Sequence, residues 1–192
     1  MNWLAHLRLA PTAPLLRLGN LAGDFVRGVD ITTLHPDLRA GIHQHRAIDR
    51  FVDAHALVRG SRHRLDVRFR RFAGVLVDVY YDHFLARDWA VHGDGRTLAL
   101  FVDEVHAQLR EHAALLPPRL QQVLPHMQRQ AWLAGYAKVE GIDTVLQNMA
   151  RRVARPTPLA DGGAELRAQY EALDGDFAAF WPELAAFASD LG

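Results

Sequence analysis

The 192-residue chain contains no cysteine. Disulfides, thiolate nucleophiles and cysteine-ligated zinc are excluded with it. Lysine is nearly missing as well: Lys138 is the only one, so arginine supplies the rest of the 22 basic residues. Formal net charge is zero, which removes the global basic field of a general nucleic-acid binder. No stretch approaches the roughly 18 apolar residues that a membrane span needs. The opening M-N-W-L-A-H-L-R-L-A-P does not read as a signal peptide, because His6 and Arg8 interrupt the apolar run and Pro11 closes it. A soluble, cytoplasmic protein is expected, with neither membrane nor nucleic acid as partner. The sequence also has no G-x-S-x-G, no P-loop, no G-x-G-x-x-G and no H-E-x-x-H. Nucleophilic elbows and nucleotide fingerprints therefore drop out.

What remains is helical. Hydrophobic residues make up 49% and charged residues 23%, a globular composition, and the length suits one domain with a substantial core. No alternating strand of useful length, repeat or low-complexity tract interrupts the helical periodicity. The expected class is all-α, a single-domain compact helical bundle of roughly seven to nine helices. Helices are expected over residues 2–9, 17–27, from Pro36 through the central stretch, 75–89, 96–116, 119–136, 142–153 and 164–191. Pro11 and Pro14 should end the first, Gly28 the second, and Pro182 should mark a boundary in the last.

The stretch G-I-H-Q-H-R-A-I-D-R-F-V-D at 41–53 is read as the centre of the design. At about 100° per residue, Ile42, Ile48, Phe51 and Val52 span roughly half the wheel, and His45 and Asp49 fall inside that arc. Asp53 continues the stripe at its edge. A buried carboxylate needs a partner, whether an ordinary hydrogen-bond donor, an arginine or a metal ion. The same problem recurs at 75–89, which is apolar nearly all round yet carries Asp78, Asp82 and His83. On the early helices, His6 is four residues from Asn2, and Asn20, Asp24 and Arg27 share a face. Imidazole and carboxylate together, without thiolate, suit manganese, iron, zinc or magnesium. Between Arg59 and Arg71 lie six arginines against one Asp66, the sharpest charge asymmetry in the chain. That run reads either as a solvated helix face or as the seat of an anionic partner.

The segments M-N-W-L-A-H-L, G-N-L-A-G-D-F-V-R-G, G-I-H-Q-H-R-A-I-D-R-F-V-D and D-V-Y-Y-D-H-F-L-A-R-D-W resemble the acyl carrier protein phosphodiesterase family in order and spacing. Weaker matches follow at A-W-L-A-G-Y, V-L-Q-N-M-A-R-R and Y-E-A-L-D-G-D-F-A-A-F-W-P. The resemblance implies an enzyme, usually manganese-dependent. It would hydrolyse the phosphodiester that joins 4′-phosphopantetheine to a serine of acyl carrier protein, a small acidic protein. It also implies an HD-domain-like fold. The usual HD pattern needs a His-Asp dipeptide, however, and this chain has only the reversed Asp82-His83.

On this reading Asp24, Asp82 and His83 are the first expected metal ligands, with His6 and His45 next. Asp49 and Asp78 ligate or orient from behind. Arg27 and Arg46 meet the phosphate charge, and His43, off the buried arc, serves as general acid. Arg59, Arg62, Arg64 and Arg68 would dock the acidic carrier. Two other readings remain open: a phosphohydrolase acting on a small nucleotide or other phosphoester, and a helical binding module without catalysis.

Overall fold

The computed structural model describes residues 1–129 and 132–191, and every regular element among them is helical. In chain order these are α1 (Trp3–Leu9), α2 (Pro14–Ala22), α3 (Pro36–Ala54), α4 (Ala56–Arg64), α5 (Ala73–Arg87) and α6 (Trp89–His92). Then come α7 (Leu98–Glu111), α8 (Pro118–Arg129), α9 (Trp132–Gly135), α10 (Val139–Arg151), α11 (Gly162–Ala168) and α12 (Tyr170–Asp190). Short 3-10 turns join several of them, including Gly23–Phe25 and Val67–Phe69. The buried apolar side chains form one core. The expected helix over 119–136 crosses residues 130 and 131, which lie outside the described residues.

Proline accounts for two differences from the sequence expectation. Pro14 opens α2 at its first turn and does not merely close α1; its missing N–H is no loss there, because first-turn N–H groups have no helical partner. Pro182 lies inside α12, and the break in that region falls instead at Gln169, between α11 and α12. Helix α2 also stops at Ala22, before the expected Arg27. The tighter 3-10 turn and the left-handed Gly28 (φ 79°) turn the chain away from the α2 axis.

The helix at the centre is α5, not α3. Leu76, Val77, Val79, Tyr80, Tyr81, Phe84 and Leu85 are all buried, so α5 is covered over most of its surface, with Val75 exposed in its first turn. Helix α3 is amphipathic and packs most intimately on α2. A Cβ at Gly41 would stand 2.1 Å from the Leu16 carbonyl oxygen, and one at Gly19 2.3 Å from that of Leu38. Only glycine permits this backbone contact. It brings Asn20 of α2 against Gln44 and His45 of α3, and so builds the site.

Candidate metal centre and its cavity

Three buried or half-buried side chains from two helices converge: His6 of α1, and His45 and Asp49 of α3. The two imidazoles stack with ring centroids 4.0 Å apart. His6 Nε2 is 3.1 Å from Asp49 Oδ1, and His45 Nε2 is 3.0 Å from Asp49 Oδ2. Room for the His45 ring comes from Gly23, where a Cβ would fall 2.3 Å from the ring carbons.

The tautomers follow from a chain of hydrogen bonds. The Ala188 carbonyl can only accept, so the Gln44 amide turns its Nε2 toward it (3.5 Å) and its Oε1 toward Asn20. Asn20 Nδ2 donates to that Oε1 at 2.5 Å. Asn20 Oδ1 is thereby left facing His6 Nδ1 at 3.0 Å, and the imidazole must donate. His45 Nδ1 donates to the backbone oxygen of the same Asn20 at 2.8 Å. Each ring has spent its Nδ1–H, so in the neutral state each Nε2 presents a lone pair. Both lone pairs point at one carboxylate.

Lone pairs facing carboxylate oxygens repel unless something positive lies between them. Burial lowers the pKa of His6, with the neighbouring His45 adding to the effect, although Asp49 pulls the other way. Burial alone would raise Asp49, but His45 and His6, whenever they carry a proton on Nε2, and the Met1 amino group hold it well below the usual carboxylate range. An ionised carboxylate and two imidazole Nε2 atoms, with ligand atoms all within 4.8 Å of one another, form a set that could hold a divalent cation. Among the described residues it is the only such His/Asp/Glu group.

Around it opens a cavity of about 430 Å³. Asp24, Asp49, Asp53 and Asp78 line it together with Trp3, Arg119 and Arg152, and Phe25, Val75, Val79, Val123 and Met149 give it an apolar wall. Asp24 is 47% exposed, accepts a hydrogen bond from Trp3 Nε1 at 2.9 Å, and has Oδ1 3.6 Å from His45 Nε2. Asp78 Oδ1 is 3.3 Å from the buried Met1 amino group and 4.0 Å from Arg62.

The structure thus sets Asp24, Asp49 and Asp78 in the wall of one cavity, with the buried His6 and His45 reaching it through Asp49. It places the other expected residues elsewhere. Asp82 is fully buried, but its oxygens accept the N–H groups of Leu4 (2.8 Å) and Ala5 (3.2 Å). It holds the first turn of α1, whose N–H groups have no helical partners. His83 spends Nδ1 on the Tyr136 carbonyl (2.7 Å) and Nε2 on the Tyr170 hydroxyl (2.8 Å). His43 is exposed and, two residues from His45, sits about 160° around α3 from it. Arg27 and Arg46 are exposed and do not line the cavity; its guanidinium groups come from Arg119 and Arg152 instead. Of the expected docking arginines, Arg62 pairs with Asp53 (2.7 Å), Arg64 with Asp176 (3.0 Å) and Arg68 with Asp161 (3.4 Å). Arg59 is exposed on α4.

The role of Asp82 is testable by substitution. Burial pushes its carboxyl up to about 7, against the pull of the Leu4 and Ala5 N–H groups. In the unfolded chain it ionises near 3.9. Between those values the folded state binds more protons, so this group's contribution to stability falls as pH rises from about 4 to 7. Asp82→Asn cannot ionise and should gain on the wild type over that window in urea titrations. Asp82→Ala leaves two buried N–H groups without acceptors and should cost about 2 kcal/mol or more at any pH. Neither should weaken metal binding. Loss of metal binding in the Asn variant, with its fold intact, would return Asp82 to the metal centre.

Comparison with known proteins finds relatives along almost the whole chain. The family model described as acyl carrier protein phosphodiesterase matches residues 1–184. A protein of that name from Serratia proteamaculans is 37% identical over 190 residues, 99% of this chain and 98% of the relative. One from Yersinia enterocolitica is 36% identical over the same coverage. One from Salmonella agona is 38% identical over 189 residues, 98% of each chain. No solved structure matches the chain.

Proposed function

Because the chain belongs to the acyl carrier protein phosphodiesterase family, a family of hydrolases, we propose that it cleaves the phosphodiester between 4′-phosphopantetheine and a carrier serine. The products are the apo carrier and free 4′-phosphopantetheine. His6, His45 and Asp49 hold a divalent cation, manganese by preference. The observation that carries this is the pair of Nε2 lone pairs fixed on one carboxylate, both tautomers being set by Asn20.

When bound there, the cation lowers the pKa of a water and draws charge from the phosphoryl oxygens. The chain's own groups do the rest. Asp24, open to the cavity and oriented by Trp3, takes a proton from the attacking water. Arg119 and Arg152 line the same cavity and offset the phosphate charge. The apolar wall of Phe25, Val75, Val79, Val123 and Met149 suits a slender pantetheine arm. The water oxygen bonds to phosphorus as the bond from phosphorus to the serine oxygen breaks, and that oxygen departs with the carrier, taking up a proton from solvent water.

Mass spectrometry of holo carrier after incubation with the protein and manganese tests the reaction. The carrier should lose the mass of its phosphopantetheine. A carrier unchanged with or without metal would contradict the proposal. No helix among the described residues is long and apolar enough to cross a membrane.

A further inference from the structure

The expected docking arginines are largely engaged, yet unengaged arginines crowd one place. Residues 72–75, at the start of α5, stand where three concavities meet. On one side Val75 belongs to the aspartate-lined cavity. On a second, Ala73 and Gly74 floor a groove of about 500 Å³ with Arg62, Val67 and Arg70. On a third, Phe72 floors a groove of about 530 Å³ with Arg68, Arg71, Val153 and Arg155. No Asp or Glu lines either groove. Arg70, Arg71 and Arg155 are exposed, and their guanidinium groups make no hydrogen bond or ion pair with the described residues. Among them stand exposed apolar side chains: Val67 is 79% exposed, Val75 43% and Val153 38%.

We propose that this rim, Arg70, Arg71 and Arg155 around Val67 and Val153, is the docking face for an acidic protein surface. Resting on the reaction proposed above, that surface is the carrier's own. Charge complementarity selects the occupant. The cavity sets four aspartates against Arg119, Arg152 and the Met1 amino group, so it offers an acidic protein surface no net attraction, and the chain's zero net charge supplies none at long range. Attraction must therefore be local and beside the mouth, which is where the unengaged arginines lie. The exposed valines give the contact an apolar centre within a charged border, the usual anatomy of a protein interface. A nucleic-acid backbone would find no such apolar centre useful.

The test uses apo carrier, which has no phosphodiester, so docking is measured apart from hydrolysis. Arg70→Glu, Arg71→Glu and Arg155→Glu together should raise the Kd for apo carrier at least tenfold at low salt. The difference should shrink in high salt, since the Debye length is only about 3 Å at 1 M. For holo carrier, KM should rise in parallel while kcat at saturation stays near the wild-type value. Reversal of Arg59 and Arg64 should change either constant far less. Unchanged Kd in the triple variant, an equal loss in the Arg59 and Arg64 variant, or a loss undiminished by salt would each overturn the docking face. So would wild-type protein that binds duplex DNA but not apo carrier. Apo carrier bound through the rim, with holo carrier left intact by manganese-loaded protein, would keep the docking face and remove the proposed reaction.

Discussion

Replacing Asp49 with Asn is expected to abolish metal-dependent hydrolysis and to lower divalent-metal affinity by more than about 100-fold. Loss of a group that only orients a ligand costs about 10- to 100-fold in affinity, and Asp49 meets both imidazoles directly. The fold should survive. The new amide places a donor opposite one Nε2 lone pair and an acceptor opposite the other, and no apolar contact is lost. Thermal unfolding separates the two effects. At manganese concentrations of about 100 times Kd, the wild type should gain about 2.7 kcal/mol of stability from binding. The Asn variant should gain less than about 0.4 kcal/mol at the same concentration while keeping its helical circular dichroism. Full manganese stabilisation of the Asn variant would remove Asp49 from the centre.

The second large effect lies one step behind the ligands, at Asn20. Its Oδ1 fixes the His6 tautomer, its Nδ2 engages Gln44, and its backbone oxygen fixes His45. Asn20→Leu removes the first two and keeps the third. His6 then loses the acceptor that directs its Nε2 outward, and Gln44 Oε1 is left buried without a donor. Metal affinity should fall about 10- to 100-fold, with about 1–3 kcal/mol of stability lost at Gln44. Asn20→Asp restores the acceptor at His6 but not the donor to Gln44. Calorimetric metal titration should therefore show affinity largely recovered in the Asp variant, while its stability remains reduced. If affinity and stability fell together in both variants, Asn20 would be a packing residue without influence on the imidazoles.

How far the sequence could lead is clear from particular residues. The all-α class and most helix positions follow from periodicity, because burial of an apolar stripe is a local pattern. His45 and Asp49 were legible for the same reason: they fall within the apolar arc of α3. Asp82 and His83 carry an identical signal, and their side chains meet other partners. A polar residue on a buried face announces burial but not its partner. The partners here are the first turn of α1, 77 and 78 residues away, and Tyr136 and Tyr170, 53 and 87 residues away. Arg119 and Arg152 had no local signal at all, since they reach the cavity only through the packing of the later helices. The docking arginines divided in the same way. Composition located the basic run, but only the fold shows that Arg62, Arg64 and Arg68 are tied to aspartates while Arg70 and Arg71 are not. Asn20 was visible as part of a helix face, yet its control of both imidazoles depends on the glycine contact between α2 and α3.

Crystals grown with manganese and measured on both sides of its absorption edge would test the central claim most directly. An anomalous peak is expected at about 2.0–2.3 Å from His6 Nε2, His45 Nε2 and an Asp49 oxygen, distances usual for such ligands. A peak bonded instead to Asp82 or His83, or none at all in protein that cleaves holo carrier, would contradict it.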